Sequence, residues 1–252
     1  MKAKLSADKN GYYFVFSDFK DYPVLAVFGT RKLNTGFGHG DNTETVLANR
    51  KKLLTPIKVD YRDLACFNQV HGSRVAQIDS LDMGSGALDY ESSIKETDSA
   101  LTNTKKLPMA VFVADCFPVY FFDPVANAAG ICHAGWRGTY ERITQKTIRS
   151  MQVKFETTPE NLLVAIGPGI RKCCYSVGEE LVEYFPGSVE RKHSGYHLDL
   201  VKENLKHLAG AGVKDKHIFD AELCTSCRNE LFFSYRKEKD AAGRQMALMM
   251  LK

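Results

Sequence analysis

The stretch MAVFVADCFPVYFFDPVANAAGIC, from Met109 to Cys132, is the most apolar in the chain. It divides into three runs of strand length: Met109 to Ala114, Val119 to Phe122 and Ala128 to Cys132. Asp123-Pro124 marks the turn between the last two. The three read as buried strands. Outward from them, Gly138 to Met151 reads as an amphipathic helix through Ile143, Thr147, Ile148 and Met151. Leu162 to Ile166 is a further strand, stopped by Gly167-Pro168-Gly169. Helices are predicted around Gly178 to Phe185 and Leu198 to Leu208. Strands are predicted near Ile218, over Leu231 to Tyr235 and over Gln245 to Leu251. On the N-terminal side, Tyr12 to Phe16 and Val24 to Phe28 read as strands, and Gly29 to Asn42 as a loop. Thr43 is read as the N-cap of a helix running to about Leu54. Ala65 to Val70 and Arg74 to Ile78 read as strands around a turn at His71-Gly72, and Asp79 to Glu96 as a polar loop. No internal repeat or linker-like segment interrupts the pattern, so one mixed α/β domain over residues 1–252 is expected.

Composition excludes several classes. The 252 residues are 44% hydrophobic and 25% charged, as in ordinary globular proteins. The net charge of +4 comes from 34 basic and 30 acidic residues. Lys51-Lys52 and Lys105-Lys106 are too short for a nucleic-acid stripe, so no nucleic acid is expected as partner. No apolar run reaches the ~18 residues of a membrane span, and Met1 to Asn10 lacks a signal-peptide core. The expected location is therefore cytoplasmic. The seven cysteines are odd in number and irregularly spaced. They read as reduced thiols, some buried and at least one reactive or metal-bound. No heptads or exposed helical stripe call for an obligate partner, and the oligomeric state stays open.

Three segments carry candidate chemistry: Asn68-Gln69-Val70-His71-Gly72, Ala114-Asp115-Cys116-Phe117-Pro118 and Cys132-His133-Ala134-Gly135-Trp136-Arg137-Gly138. Each puts a potential ligand or nucleophile at the end of an apolar strand, beside Gly or Pro, where side chains leave a core and enter a cleft. Two imidazoles and a thiolate suit zinc with a fourth position open, and such a metal lowers the pKa of water toward ~7. Without metal, Cys116 with either histidine is a thiolate nucleophile and its base. The residues alone leave both open.

These segments, with Thr97-Asp98-Ser99-Ala100-Leu101-Thr102, Ala165-Ile166-Gly167-Pro168-Gly169-Ile170, Cys173-Cys174-Tyr175-Ser176-Val177-Gly178, Phe233-Ser234-Tyr235-Arg236 and Gly243-Arg244-Gln245, follow in the order of the laccase-domain, polyphenol-oxidase-like family. The chain resembles that family from about Leu33 to Leu251. The resemblance implies a single-domain four-layer α/β/β/α sandwich, similar to a deamidating toxin domain with a Cys-His site. It implies zinc on His71, Cys116 and His133, which would also be the catalytic residues. It implies purine nucleosides and phosphate as small-molecule partners: phosphorolysis of adenosine, inosine, guanosine or methylthioadenosine, and deamination of adenosine. The family's older name refers to copper-dependent oxidation of phenols.

The residues weigh these activities. The chain has seven histidines and no His-x-His, so a multi-copper centre is poorly supported, although copper(II) could occupy the same three ligands. His193, His197, His207 and His217 read as surface residues. Deamination needs a carboxylate to move protons, and Asp98 and Asp115 are the candidates. Asp115 is equally a group that orients a ligand histidine, and Asp98 one that caps a turn. Phosphorolysis needs oxyanion donors, which Arg137, Arg236 and Arg244 could be. Gln69 completes the candidate substrate-binding set. Gly167-Pro168-Gly169 reads as a tight turn more than a phosphate contact, Trp136 as core more than a stacking surface, and His39 as an exposed loop residue. Lys32-Leu33-Asn34-Thr35-Gly36 departs from the family's Ser-Leu-Asn-Leu-Gly, which puts pocket shape in question. Cys224-Thr225-Ser226-Cys227 lacks a second pair and reads as two buried thiols, and Cys173-Cys174 is assigned no chemistry. The rivals to a zinc nucleoside enzyme are a copper-dependent phenol oxidase, a metal-free cysteine hydrolase or amidase, and a non-catalytic scaffold.

Overall fold

Strand Phe117–Asp123 is buried along its whole length, and its side chains alternate between two cores. Tyr120 and Phe122 point one way; Phe117, Val119 and Phe121 point the other. A strand covered on both faces has no polar side, which is why this segment reads as an unbroken apolar run. In the computed structural model, which describes residues 1–252, it lies near the middle of a six-stranded sheet. That sheet runs in the order Ile218–Asp220, Leu163–Ile166, Phe117–Asp123, Ala128–Ala134, Ser99–Thr102, Val75–Gln77. A second six-stranded sheet runs Leu5–Ala7, Tyr13–Phe16, Val24–Gly29, Gln245–Leu251, Met109–Val113, Ala65–Cys66.

The two sheets pack face to face. Phe16, Phe28, Val111 and Met249 of one meet Tyr120, Phe122, Ile131 and Ala165 of the other. The outer face of the first-described sheet packs on helices Ile143–Phe155 and Leu200–Gly210 through Ile148, Met151 and Leu208. The outer face of the second packs on helix Thr43–Leu54 through Leu53 and Leu54. The result is the four-layer α/β/β/α sandwich that the resemblance implied. No helix is long and apolar enough to cross a membrane.

The connections place the site. Ala65–Cys66 pairs in parallel with Met109–Val113 in one sheet, whereas Val75–Gln77 pairs in parallel with Ser99–Thr102 in the other. Residues 67–74 therefore cross between the sheets, and the two strands read on either side of His71-Gly72 do not pair with each other. Residues 114–116 make a second crossing, from Met109–Val113 to Phe117–Asp123. Both crossings run through the same opening between the sheets.

Other departures have local causes. The helix predicted over Gly138 to Met151 is two helices, Trp136–Tyr140 and Ile143–Phe155, broken where Arg142 turns left-handed at φ 62°. Asn42, one residue before the expected Thr43, caps the first helix by accepting from the Thr45 N–H at 2.9 Å. Leu231 to Tyr235 is not a strand. The Gln245 side chain accepts from Phe233 N at 2.8 Å and donates to Phe233 O at 3.1 Å, taking the place of a ladder. A small sheet of Ser176–Val177, Gly195–Leu198 and Val189–Lys192 occupies a region read as helix and loop. It buries His197, whose Nδ1 lies 2.9 Å from Lys172 O, so this histidine is not a surface residue.

The Tyr120 hydroxyl spans the interface between the sheets and donates to Val27 O at 2.9 Å. Tyr120→Phe is expected to lower unfolding free energy by about 1 kcal/mol, read as a fall in urea midpoint without a change in slope.

Candidate functional site

Register brings the reactive groups together. Phe117 pairs with Ala134 and Pro118 with His133, so Cys116, one residue before the strand, falls opposite Gly135. Ser99 pairs with Cys132, which sets Asp98 beside His133, and the His133 N–H donates to Asp98 O at 2.7 Å. The crossing segment delivers His71 from the side, with φ at 60°. The donor atoms of His71, Cys116 and His133 all lie within 4.8 Å of one another. The two imidazole rings meet edge to face, with centroids 4.8 Å apart.

Gly135 makes room for this cluster. A Cβ there would stand 3.0 Å from Cys116 Sγ and 3.2 Å from His71 Cδ2. Two imidazoles and a thiolate converging over a residue without a side chain suit zinc, which takes three such ligands and keeps a fourth position open.

Asp98 is fully buried. Its carboxylate accepts from Val70 N at 3.0 Å, His71 N at 3.1 Å and Gly72 N at 2.8 Å, and faces His133 Nδ1 at 2.8 Å. Burial raises its pKa, but the bond from His133 and the backbone donors outweigh that, and the group stays below the usual carboxylate range. An ionised carboxylate only accepts, so His133 carries its proton on Nδ1 and aims Nε2 at the site. Burial also pushes the Cys116 thiol up. The His133 charge and bonds from both histidines overcome it and bring the pKa down to about 6. Burial alone would lower the pKa of His133, but the Cys116 thiolate and Asp98 pull it up. Without metal the pair is thiolate and imidazolium.

Asp115 has a different task. It sits in the second crossing with φ at 87°. Its carboxylate accepts from Thr225 Oγ1 at 2.6 Å, Ser234 Oγ at 3.1 Å and Arg236 N at 2.6 Å. It fastens a distant loop and does not orient a histidine; Asp98 does that. The Gln69 amide is also committed, donating to Phe112 O at 3.0 Å and accepting from Phe112 N at 2.8 Å.

These groups open into a cavity of about 640 Å³, in the range for a small-molecule site. Arg50, Arg137, Arg236 and Arg244 line it, and Asp115 is its one carboxylate. Arg137 lies over the Trp136 ring at 4.8 Å, and Arg236 over Tyr175 at 5.3 Å. Trp136 is half-buried: it packs against the core beneath the helices and also lines the cavity. His39 also lines the cavity, where burial and the Arg244 charge hold its pKa down. The sequence reading missed Arg50. It is fully buried, donates to Thr35 O, Gly86 O and Ala87 O, and lies over Phe37 at 4.1 Å and Phe112 at 4.7 Å. Its signal was an arginine in the apolar stripe Val46, Arg50, Leu53 and Leu54. Gly167-Pro168-Gly169 stays outside the cavity, as a turn, with Gly169 against the Phe117 ring. Cys227 is exposed rather than buried, and Cys173 and Cys174 join Cys224 and Cys227 in one cluster.

The family model for multi-copper polyphenol oxidoreductase laccase matches residues 26–252, and the chain belongs to that family. Purine nucleoside phosphorylase YlmD of Geobacillus stearothermophilus is 34% identical over 226 residues, covering 86% of this chain and 82% of that protein. Adenosine deaminase RL5, from an unknown prokaryotic organism, is 32% identical over 214 residues, covering 81% of each. The crystal structure of the Bacillus licheniformis hypothetical protein YfiH superposes with a TM-score of 0.93 at 32% identity, covering 98% of this chain and 99% of that one.

Two outcomes follow from the site. In metal-free protein, alkylation of Cys116 by iodoacetamide should rise through a midpoint near pH 6, because the thiolate predominates above that pH and is protonated below it. A midpoint above pH 8 would remove the thiolate–imidazolium pair. Asp98→Asn, which replaces an acceptor-only carboxylate, should weaken zinc binding by about 10–100-fold in a competition titration.

Proposed function

We propose that this chain is a zinc-dependent purine nucleoside enzyme, whose main reaction is phosphorolysis. The observation that carries this reading is the cavity itself: four arginines and one committed carboxylate surround the His71, Cys116 and His133 donors. A zinc ion held by those three residues would supply Lewis acidity at the base of the cavity.

The remaining work falls to the chain. Arg137 lines the cavity with its guanidinium over the Trp136 ring at 4.8 Å, and such a fork suits one face of a phosphate. Arg236 is pre-positioned by Asp115 on its backbone and by its own bond to Ser176 O at 2.7 Å. Arg244 is held through Ala242 O at 2.6 Å. Anchored donors bind an oxyanion with little further loss of freedom. Phe37, Phe112, Trp136 and Tyr175 supply apolar and aromatic wall for a purine. The names of the relatives support the same substrate class.

Adenosine deamination is the second reading, favoured by the relative named for it. It needs a group that moves protons. Asp98 and Asp115 are both saturated with donors, so neither is free for that task. A multi-copper oxidase is disfavoured by the ligand set, since His71 and His133 are the only histidines in a cluster of potential metal ligands.

The experiment is adenosine and inosine turnover with and without phosphate, on protein of measured metal content. Free base formed only with phosphate supports phosphorolysis; inosine formed from adenosine regardless of phosphate supports deamination. Cys116→Ala should abolish either activity and remove the triad's zinc, and full activity in that variant sinks the proposal. Arg137→Ala should raise the KM for phosphate roughly tenfold or more, as expected for one lost bond to a charged group.

A further inference from the structure

Cys173, Cys174, Cys224 and Cys227 are the second group of potential metal ligands in the molecule, and neither the triad nor the proposed reaction uses them. We propose that these four thiols form a tetrathiolate site for one structural zinc ion, separate from the His71, Cys116 and His133 triad.

The geometry is that of four sulfurs around a centre. All four lie within 4.8 Å of one another. Cys227 Sγ stands 3.4 Å from Cys173 Sγ and 3.3 Å from Cys174 Sγ. Tetrahedral zinc–thiolate bonds of about 2.3 Å put neighbouring sulfurs roughly 3.8 Å apart. A disulfide would satisfy two of the four and leave Cys227 with a choice of partners at nearly equal distance. A metal takes all four.

The surrounding backbone supports the same reading. Cys224-Thr225-Ser226-Cys227 has the spacing of a zinc-ligand pair, and its turn is closed by Arg228 N donating to Cys224 O at 2.9 Å. Cys224 Sγ accepts from Arg171 N at 3.4 Å, a bond that favours a thiolate there. The second pair comes from a segment some fifty residues earlier, so the sequence alone never shows a four-ligand pattern. Four soft thiolates with no imidazole or carboxylate among them select zinc over harder ions.

The position gives the ion a task. One pair follows Ile170 and precedes Tyr175; the other leads into Arg236. All three of those residues line the cavity. Gly169 and Cys224 form an isolated bridge, Thr225 donates to Asp115, and Arg236 donates to Ser176 O. The zinc staples the two segments that carry this wall.

The test is metal content by plasma mass spectrometry on full-length protein purified without chelators in reducing buffer. Two zinc per chain are expected, with one left in Cys116→Ala and one left in the Cys224→Ser/Cys227→Ser variant. Cobalt substitution of Cys116→Ala should give the strong sulfur-to-cobalt charge transfer and visible bands of a tetrahedral thiolate site. This measurement decides the question even where the double serine variant fails to fold. A single zinc unaffected by loss of Cys224 and Cys227, iron in place of zinc, absent cobalt–thiolate bands, or an intact mass short by two hydrogens that shows a disulfide would each overturn the proposal. The metal count stands apart from the nucleoside assay, so each reading fails on its own measurement.

Discussion

The Asp98 carboxylate, buried in the opening between the sheets, accepts three backbone N–H groups from the turn at residues 70–72 and the Nδ1–H of His133. Burying an ionised carboxylate costs several kcal/mol unless donors replace its water, and here four do. Those four bonds join the two halves of the site. They hold His71 in a left-handed conformation that a non-glycine residue adopts only at a cost of about 1–3 kcal/mol. They also decide which nitrogen of His133 faces Cys116. Without Asp98 the turn would relax, the tautomer would be free, and the three donors would no longer converge.

Everything else about the site follows from where the chain changes sheets. Two sheets that pack face to face have open ends, and both crossings, 67–74 and 114–116, use the same one. His71 and Cys116 lie on those crossings, and His133 lies at the end of a central strand. The loop 224–236 and the segment 170–177 add a further wall through Ile170, Tyr175, Tyr235 and Arg236. The cavity is cationic because its one carboxylate, Asp115, is consumed as a structural acceptor while four arginines line the same space. Arg50 shows the same economy: its guanidinium holds three carbonyls and lies between two aromatic rings, so a charge inside an apolar helix face is satisfied and not stranded.

Much of this was legible in the residues. The apolar runs at Met109, Val119 and Ala128 marked the central strands, because burial on both faces leaves no polar alternation to confuse the reading. Cys116, His71 and His133 could be nominated because each ends an apolar run beside Gly or Pro, and the family resemblance grouped them. Asp98 and Asp115 could be nominated but their tasks could not be told apart, since which donors reach a carboxylate depends on strand register. Helix Trp136–Tyr140 was merged with its neighbour because the left-handed break at Arg142 leaves no mark on periodicity.

By itself the sequence determined the mixed α/β class and the central strands, because those depend on local polarity and on short runs of residue types; the four-layer arrangement and the grouping of His71, Cys116 and His133 came from motifs whose order resembles a known family. Only the tertiary structure decided which strands share a sheet, which aspartate serves His133, that Arg50, His39 and Trp136 face the cavity, and that Cys173 and Cys174 meet Cys224 and Cys227. Each of these depends on groups tens of residues apart, whose approach is set by sheet pairing and packing and carries no signature in the chain between them.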